Sequence, residues 1–188
     1  VLRKNEFVKK GFAGMKEILI HDSFKGFFMD DQSGVTVTGG RYRPLTLLFF
    51  ASLFPFLGLN PIYYHLINIL LFAVLGLILY QTLKKLLDFK FAHISTPIAF
   101  LSSILFVTHP IHTEVVSNIK GLDEIFSLLF SMLSMLFCIR YYSTKQKLNL
   151  FLVGIFFLLA IFSKESAVNF LLLMPLAFIL LTDIKWKQ

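Results

Sequence analysis

The chain has 188 residues, of which 56% are hydrophobic, 23 are Phe and only 15% are charged, with a mean hydropathy of +0.75. That is more apolar than a soluble domain of this length requires, and it points to a bilayer. The net charge of +7 does not indicate a nucleic-acid partner: the basic residues fall between apolar runs, as topology determinants do, and form no stripe with interleaved aromatics.

The chain starts at Val1 without an n-region or an apolar signal core, so a further segment is expected upstream. Residues 1–44 mix polar, charged and aromatic groups, punctuated by Gly11, Gly14, Gly26, Gly34, Gly39 and Gly40. They read as an ordered soluble loop. Residues 45–59 are apolar but short for a span, and Pro55 interrupts them; an interfacial helix fits this length better than a crossing one.

Residues 62–83 read as a membrane helix, with Tyr63 and Tyr64 at one end and Lys84, Lys85 and Lys90 just past the other. Residues 94–108, 122–139, 148–162 and 167–181 follow as four more apolar runs, giving an all-α polytopic membrane bundle. Lys84, Lys85, Lys90, Arg140, Lys145, Lys147, Lys185 and Lys187 share one side, against Lys120 and Lys164 in the short turns opposite. The positive-inside rule puts that basic side in the cytoplasm and the polar turns on the outer face, together with residues 1–44. Tyr141, Tyr142 and Trp186 fall at the cytoplasmic boundary. The single cysteine, Cys138, lies in an apolar run and reads as a packing residue.

The runs 148–162 and 167–181 are short: fifteen residues of helix cover only about 22 Å of a hydrocarbon core of about 30 Å. Their joining turn, Ser163-Lys164-Glu165-Ser166, is then held below the outer surface, where charge persists only inside protein or against water. The run 94–108 is equally short and ends at His109-Pro110, the start of His109-Pro110-Ile111-His112-Thr113-Glu114, with Asp123-Glu124 nine residues past Glu114. The two polar turns are expected to share one outward-facing cavity roofed by the N-terminal loop. Buried charge would also serve a transporter or channel, but these charges gather at one end and none marks the middle of 62–83 or 122–139. A noncatalytic scaffold is a third reading. Repeats and Walker, Rossmann, HExxH and GxSxG signatures are absent.

Five blocks in order carry a resemblance: Gly40-Arg41-Tyr42-Arg43-Pro44-Leu45-Thr46; Gly58-Leu59-Asn60-Pro61 with Tyr64-His65-Leu66-Ile67-Asn68; His109 to Glu114; Lys120-Gly121-Leu122-Asp123; and Ser163-Lys164-Glu165-Ser166. Together they resemble the membrane half of the transmembrane O-mannosyltransferases that carry tetratricopeptide repeats, and their bacterial relatives. In that pattern Gly-Arg-Ala-Asp is usual where Gly121-Leu122-Asp123 stands, so the arginine position is taken by Lys120 or lost.

The resemblance implies a glycosyltransferase of the GT-C class, which moves a sugar such as mannose from a polyprenyl-phosphate carrier to a protein or glycan acceptor at the outer face. In a bacterium that is the inner membrane, with the site facing the periplasm. It also implies an acidic catalytic residue in the first outer loop, expected upstream of Val1, so that the fragment alone is inactive; Asp30-Asp31 lie too late in the loop to match it. A base must take the acceptor proton while cations neutralise the departing phosphate. Glu114 and Asp123 are the carboxylates available for catalysis, and Arg41, Arg43 and Lys164 are candidate phosphate partners, with His109, His112 and Glu165 as further substrate contacts.

Each has a structural alternative. Glu114 and Asp123 can cap or pair, Lys164 and Glu165 can pair with each other, and Arg41 and Arg43 can be loop cations. His65 and Asn68 read as interhelical glue. No cofactor is expected beyond the lipid-linked donor; a divalent metal on His109, His112 and Glu114 is disfavoured against loop-orienting hydrogen bonds.

Overall fold

In the computed structural model, residues 4–27 and 41–181 are described. Asp30-Asp31, Gly34, Gly39, Gly40, Lys185, Trp186 and Lys187 lie outside them. The described residues form helices and turns, with no strand among them.

The N-terminal segment is more structured than a loop. It folds as two short helices, α1 (Glu6–Lys9) and α2 (Met15–Ile20), around a 3-10 turn at Gly11–Gly14. Asn5 caps α1, its side chain accepting from the Val8 N–H at 3.1 Å. Phe7, Val8 and Ile18 then bury against Leu47, Phe50 and Ala51 of α3 (Pro44–Leu57), together with Tyr64, Leu122 and Phe126. This apolar contact is what turns a polar-looking stretch into a packed lid.

Helix α3 has proline at its first position, where the missing N–H costs nothing. Pro55 falls in its last turns, and the helix ends at Gly58, whose φ of +58° suits the reversal. At 14 residues α3 is too short to cross a bilayer. Helix α4 (Pro61–Phe91) is capped by Asn60 and again opened by proline. Its 31 residues span about 46 Å, so it runs on past the apolar stretch through Lys84, Lys85 and Lys90. Charge ends the membrane zone there, but no glycine or proline ends the helix.

Helix α5 (Ser95–Thr108) returns along α4. A Cβ on Gly76 of α4 would lie 2.7 Å from Val107 Cγ2, so the two helices meet through small residues. After His109, in extended backbone before Pro110, the chain bends by 49° into a 3-10 turn and α6 (Thr113–Ser117). A second 3-10 turn at Ile119–Gly121 leads into α7 (Leu122–Thr144), which ends on Lys145 in the left-handed region. Helices α8 (Lys147–Ser163) and α9 (Phe170–Leu181) complete the bundle, joined by a turn at Glu165–Asn169.

Helix α7 is the centre, packed on α4 and α8. In its most apolar stretch 67% is buried, against 28% for α4, whose Leu66, Leu70 and Leu77 stay exposed. Exposed leucines of this kind belong against lipid or further helices. Among the described residues two helical segments are long and apolar enough to cross a membrane, Pro61–Phe91 and Ile119–Thr144, and the bent pair from Ser95 to Ser117 makes a third if counted as one span. Two buried hydroxyls are satisfied within their own helices, which suits an apolar surrounding: Thr82 donates to the Ile78 carbonyl and Ser103 to that of Ala99, both at 2.8 Å.

The ends of the bundle separate by chemistry. At the basic end, Ser95 donates to the Asp88 carboxylate, Lys90 reaches the Leu180 carbonyl at 3.4 Å, and Phe89 meets Tyr142 edge-on at 5.5 Å between ring centres. At the other end lie Arg43, the His109 block, Asp123 and the Lys164 turn.

Candidate functional site

Arg43 is the hub of that second end. It sits just before α3, its N–H donating to Ser23 Oγ at 2.9 Å, while the Ser23 N–H donates to the Arg41 carbonyl at 2.8 Å. Tyr42 donates to the Leu19 carbonyl at 2.8 Å. The lid and the start of α3 are thus laced together by backbone and hydroxyl bonds. Arg43 Nη1 donates to Asp123 Oδ2 at 2.6 Å, and its Nε and Nη2 donate to Glu165 Oε2 at 3.0 and 2.7 Å. One guanidinium therefore joins α3 to the first turn of α7 and to the α8–α9 turn. The Arg43 and Asp123 side chains are only 15% and 11% exposed, while that of Glu165 is 56% exposed.

Lys164 and Glu165 do not pair with each other. Lys164 is extended, at φ −160° and ψ 141°, and neighbouring side chains on extended backbone point opposite ways. Lys164 accordingly pairs with Glu124 of α7 while Glu165 takes Arg43.

The hydrogen bond from Arg43 holds the Glu165 carboxyl below its ordinary value, against the opposing pull of burial. Burial alone would lower Arg43, but its bonds to Glu165 and Asp123 outweigh that and raise it. A carboxylate that titrates lower in the folded than the unfolded chain contributes its full stability above the ordinary value of about 4.3 and loses it as pH falls through the depressed one. The melting temperature of the full-length protein in detergent is expected to fall below about pH 4.3, more gently in Glu165→Gln. Equal slopes in the two proteins would contradict the pairing.

Beside the Arg43–Asp123 pair lies a cavity of about 450 Å³ between lid, α3 and the start of α7, lined by Lys4, Arg41, Arg43, Lys120 and Asp123 above an apolar floor of Phe24, Phe27, Leu47 and Phe50. Lys4, Arg41 and Lys120 make no ion pair within 4 Å among the described residues. Thr46 also lines it, and its buried hydroxyl has no hydrogen-bond partner among the described residues. Asp123 is the one carboxylate among the described lining residues. The cavity thus sets cationic side chains over an apolar floor.

Glu114 does not line this cavity. The bend at Pro110 and the turn at Ile119–Gly121 leave it exposed on α6, with no side-chain hydrogen bond or ion pair among the described residues. His109 uses Nδ1 to accept from the Ile111 N–H at 3.2 Å, which orients the loop, and His112 packs on Phe106 and Phe72 at 4.3 and 5.5 Å. Both line a second, uncharged cavity of about 600 Å³ with His65, Thr108, Thr113 and Ser117. A third, of about 440 Å³, shares His112 with the second and is edged by Glu124 and Ser166. The single expected cavity is therefore divided, with arginines on one side and histidines on the other. Asn68 is buried, and its amide donates to the Asn118 carbonyl at 3.0 Å, tying α4 to the turn before Lys120. Among the described residues no three of His, Cys, Asp and Glu gather as a metal site.

Sequence reasoning used Lys120 for topology and as a stand-in for a lost arginine, quoted Thr46 without a role, and gave Lys4 none. Proximity to the Arg41–Thr46 block was the available signal for Thr46; nothing local marked Lys4.

Fold and charged end together define an all-helical, multi-pass membrane protein. No family model and no solved structure matches the chain. It is 38% identical over 95 residues to human protein O-mannosyl-transferase TMTC1, covering 50% of this chain and 10% of that protein. It is 33% identical over 134 residues to mouse protein O-mannosyl-transferase TMTC2, covering 69% and 15%. It is also 33% identical over 136 residues to protein O-mannosyl-transferase F38B6.6 of Caenorhabditis elegans, covering 72% and 18%. The chain is thus similar to one segment of proteins named protein O-mannosyl-transferases and spans between 10% and 18% of the length of these relatives.

Proposed function

We propose that the chain forms part of a membrane glycosyltransferase that moves mannose from a polyprenyl-phosphate carrier to a hydroxyl of a protein or glycan acceptor. The observation that carries this is the cationic cavity over an apolar floor: Lys4, Arg41 and Lys120 line it with no ion pair among the described residues, and Arg43 is fixed at its edge by Asp123. A leaving lipid phosphate needs such charge, and its hydrocarbon tail needs such a floor. The relatives' names supply the sugar and the protein acceptor. The excess of Lys and Arg at the opposite end supports a site on the outer side of the membrane, which in a bacterial inner membrane is the periplasmic side.

Asp123 is the lining carboxylate, and in this reading it keeps Arg43 in place and stands near the acceptor proton. Glu114 contributes nothing to this cavity. The test is full-length protein in proteoliposomes with labelled polyprenyl-phosphate mannose and a peptide acceptor. Transfer is expected to fall at least about 100-fold in Asp123→Asn and to stay within about threefold of wild type in Glu114→Gln. Carrier flux without transfer would instead mean a transporter, and neither flux nor transfer a scaffold.

A further inference from the structure

A guanidinium has five N–H groups. Three of those on Arg43 are committed, Nε and Nη2 to Glu165 and Nη1 to Asp123. One N–H on each terminal nitrogen has no partner among the described residues, on a side chain that lines the cationic cavity. Because the group is planar, two carboxylates on different helices fix both its plane and the direction of the spare pair. Glu165 is not among the cavity's lining residues and is half in solvent; its hydrogen bonds to the cavity's lining go to Arg43, with Arg41 near enough to act on it by charge. A pair that exposed contributes little to stability.

We infer that Glu165 is a positioning residue: with Asp123 it orients Arg43 so that the two spare N–H groups meet the phosphate of a lipid carrier as a fork. This rests on the reading of the cavity as the carrier site. It replaces the expectation that Glu165 touches substrate, and it makes the α8–α9 turn part of the phosphate site at one remove.

The sign of the effect separates positioning from charge. Deleting a carboxylate near a cationic cavity would, by charge alone, tighten anion binding; loss of orientation weakens it. Binding of polyprenyl monophosphate to the full-length protein in detergent is measured, with the uncharged polyprenol as control. Glu165→Ala is expected to bind the phosphate about 10-fold more weakly and polyprenol unchanged, while Glu165→Gln, which keeps a carbonyl acceptor, stays within about threefold of wild type. Glu165→Asp keeps the charge but withdraws it by one methylene, and is expected to lose about threefold.

Phosphate binding in Glu165→Ala as tight as wild type or tighter overturns the proposal, as does unchanged affinity in Glu165→Asp. A structural staple would lower the melting temperature and leave phosphate affinity alone, which also overturns it. If wild type does not prefer the phosphate to polyprenol, the carrier-site reading itself fails and this inference falls with it.

Discussion

Replacing Arg43 by Met is expected to destabilise the protein by about 3 kcal/mol and to abolish sugar transfer. The carboxylate left behind is the reason. Asp123 is 11% exposed and its Oδ2 has Arg43 as its partner at 2.6 Å; without the guanidinium this nearly buried charge keeps only the Glu124 N–H on its Oδ1 and the cations across the cavity, none of which makes an ion pair with it within 4 Å among the described residues. Glu165 loses its partner too, but water reaches it, so its share is small. The double variant Arg43→Met with Asp123→Leu removes both charges together, and apolar replacement of a whole pair is often nearly neutral. It is expected to recover most of the stability while transfer stays absent. Denaturant unfolding of the full-length protein in detergent and the transfer assay check the two halves separately. Recovery of both together would mean that the pair holds the fold and does no chemistry.

Gly121→Ala is the second large effect, expected to cost about 3 kcal/mol. A Cβ at Gly121 would stand 2.1 Å from the Val115 carbonyl oxygen and 2.8 Å from its carbon. Those are backbone atoms of α6, which cannot swing aside as a side chain would. The helix start must therefore shift, carrying Lys120 and Asp123 with it and disturbing both sides of the cavity. Gly154 of α8 is the control: a Cβ there meets nothing within 4 Å. Gly154→Ala is expected to leave transfer intact and to add up to about 1 kcal/mol through helix propensity. Unfolding curves for the two variants check the contrast; equal effects would contradict it.

Membrane class and helical architecture were legible because hydropathy is a long-range average that no local contact overturns. Helix limits were less so. The polarity change at Lys84 marks the end of the apolar zone, yet α4 continues to Phe91 because nothing between those positions breaks a helix. The N-terminal segment looked like loop because its apolar residues, Phe7, Val8 and Ile18, find their partners some thirty to a hundred residues away.

The site was legible as residue types and not as partners. The sequence order puts Glu114 and Asp123 close together, but a 3-10 turn and a tight glycine rotate one into solvent and the other into the cavity. Adjacent Lys164 and Glu165 read as substrate contacts with mutual pairing as the alternative, and extended backbone at Lys164 sends them instead to Glu124 and Arg43. Arg43 joining two carboxylates, from positions 80 and 122 residues away, has no local signature at all.

The most direct measurement uses Lys120→Cys in a full-length protein without other cysteines, treated in sealed proteoliposomes of known orientation with a membrane-impermeant thiol reagent. The account predicts labelling from the side opposite the basic helix ends, slowed by polyprenyl phosphate and not by polyprenol. Labelling from the basic side alone, or no protection by the phosphate, would contradict a carrier-phosphate cavity open to the exterior.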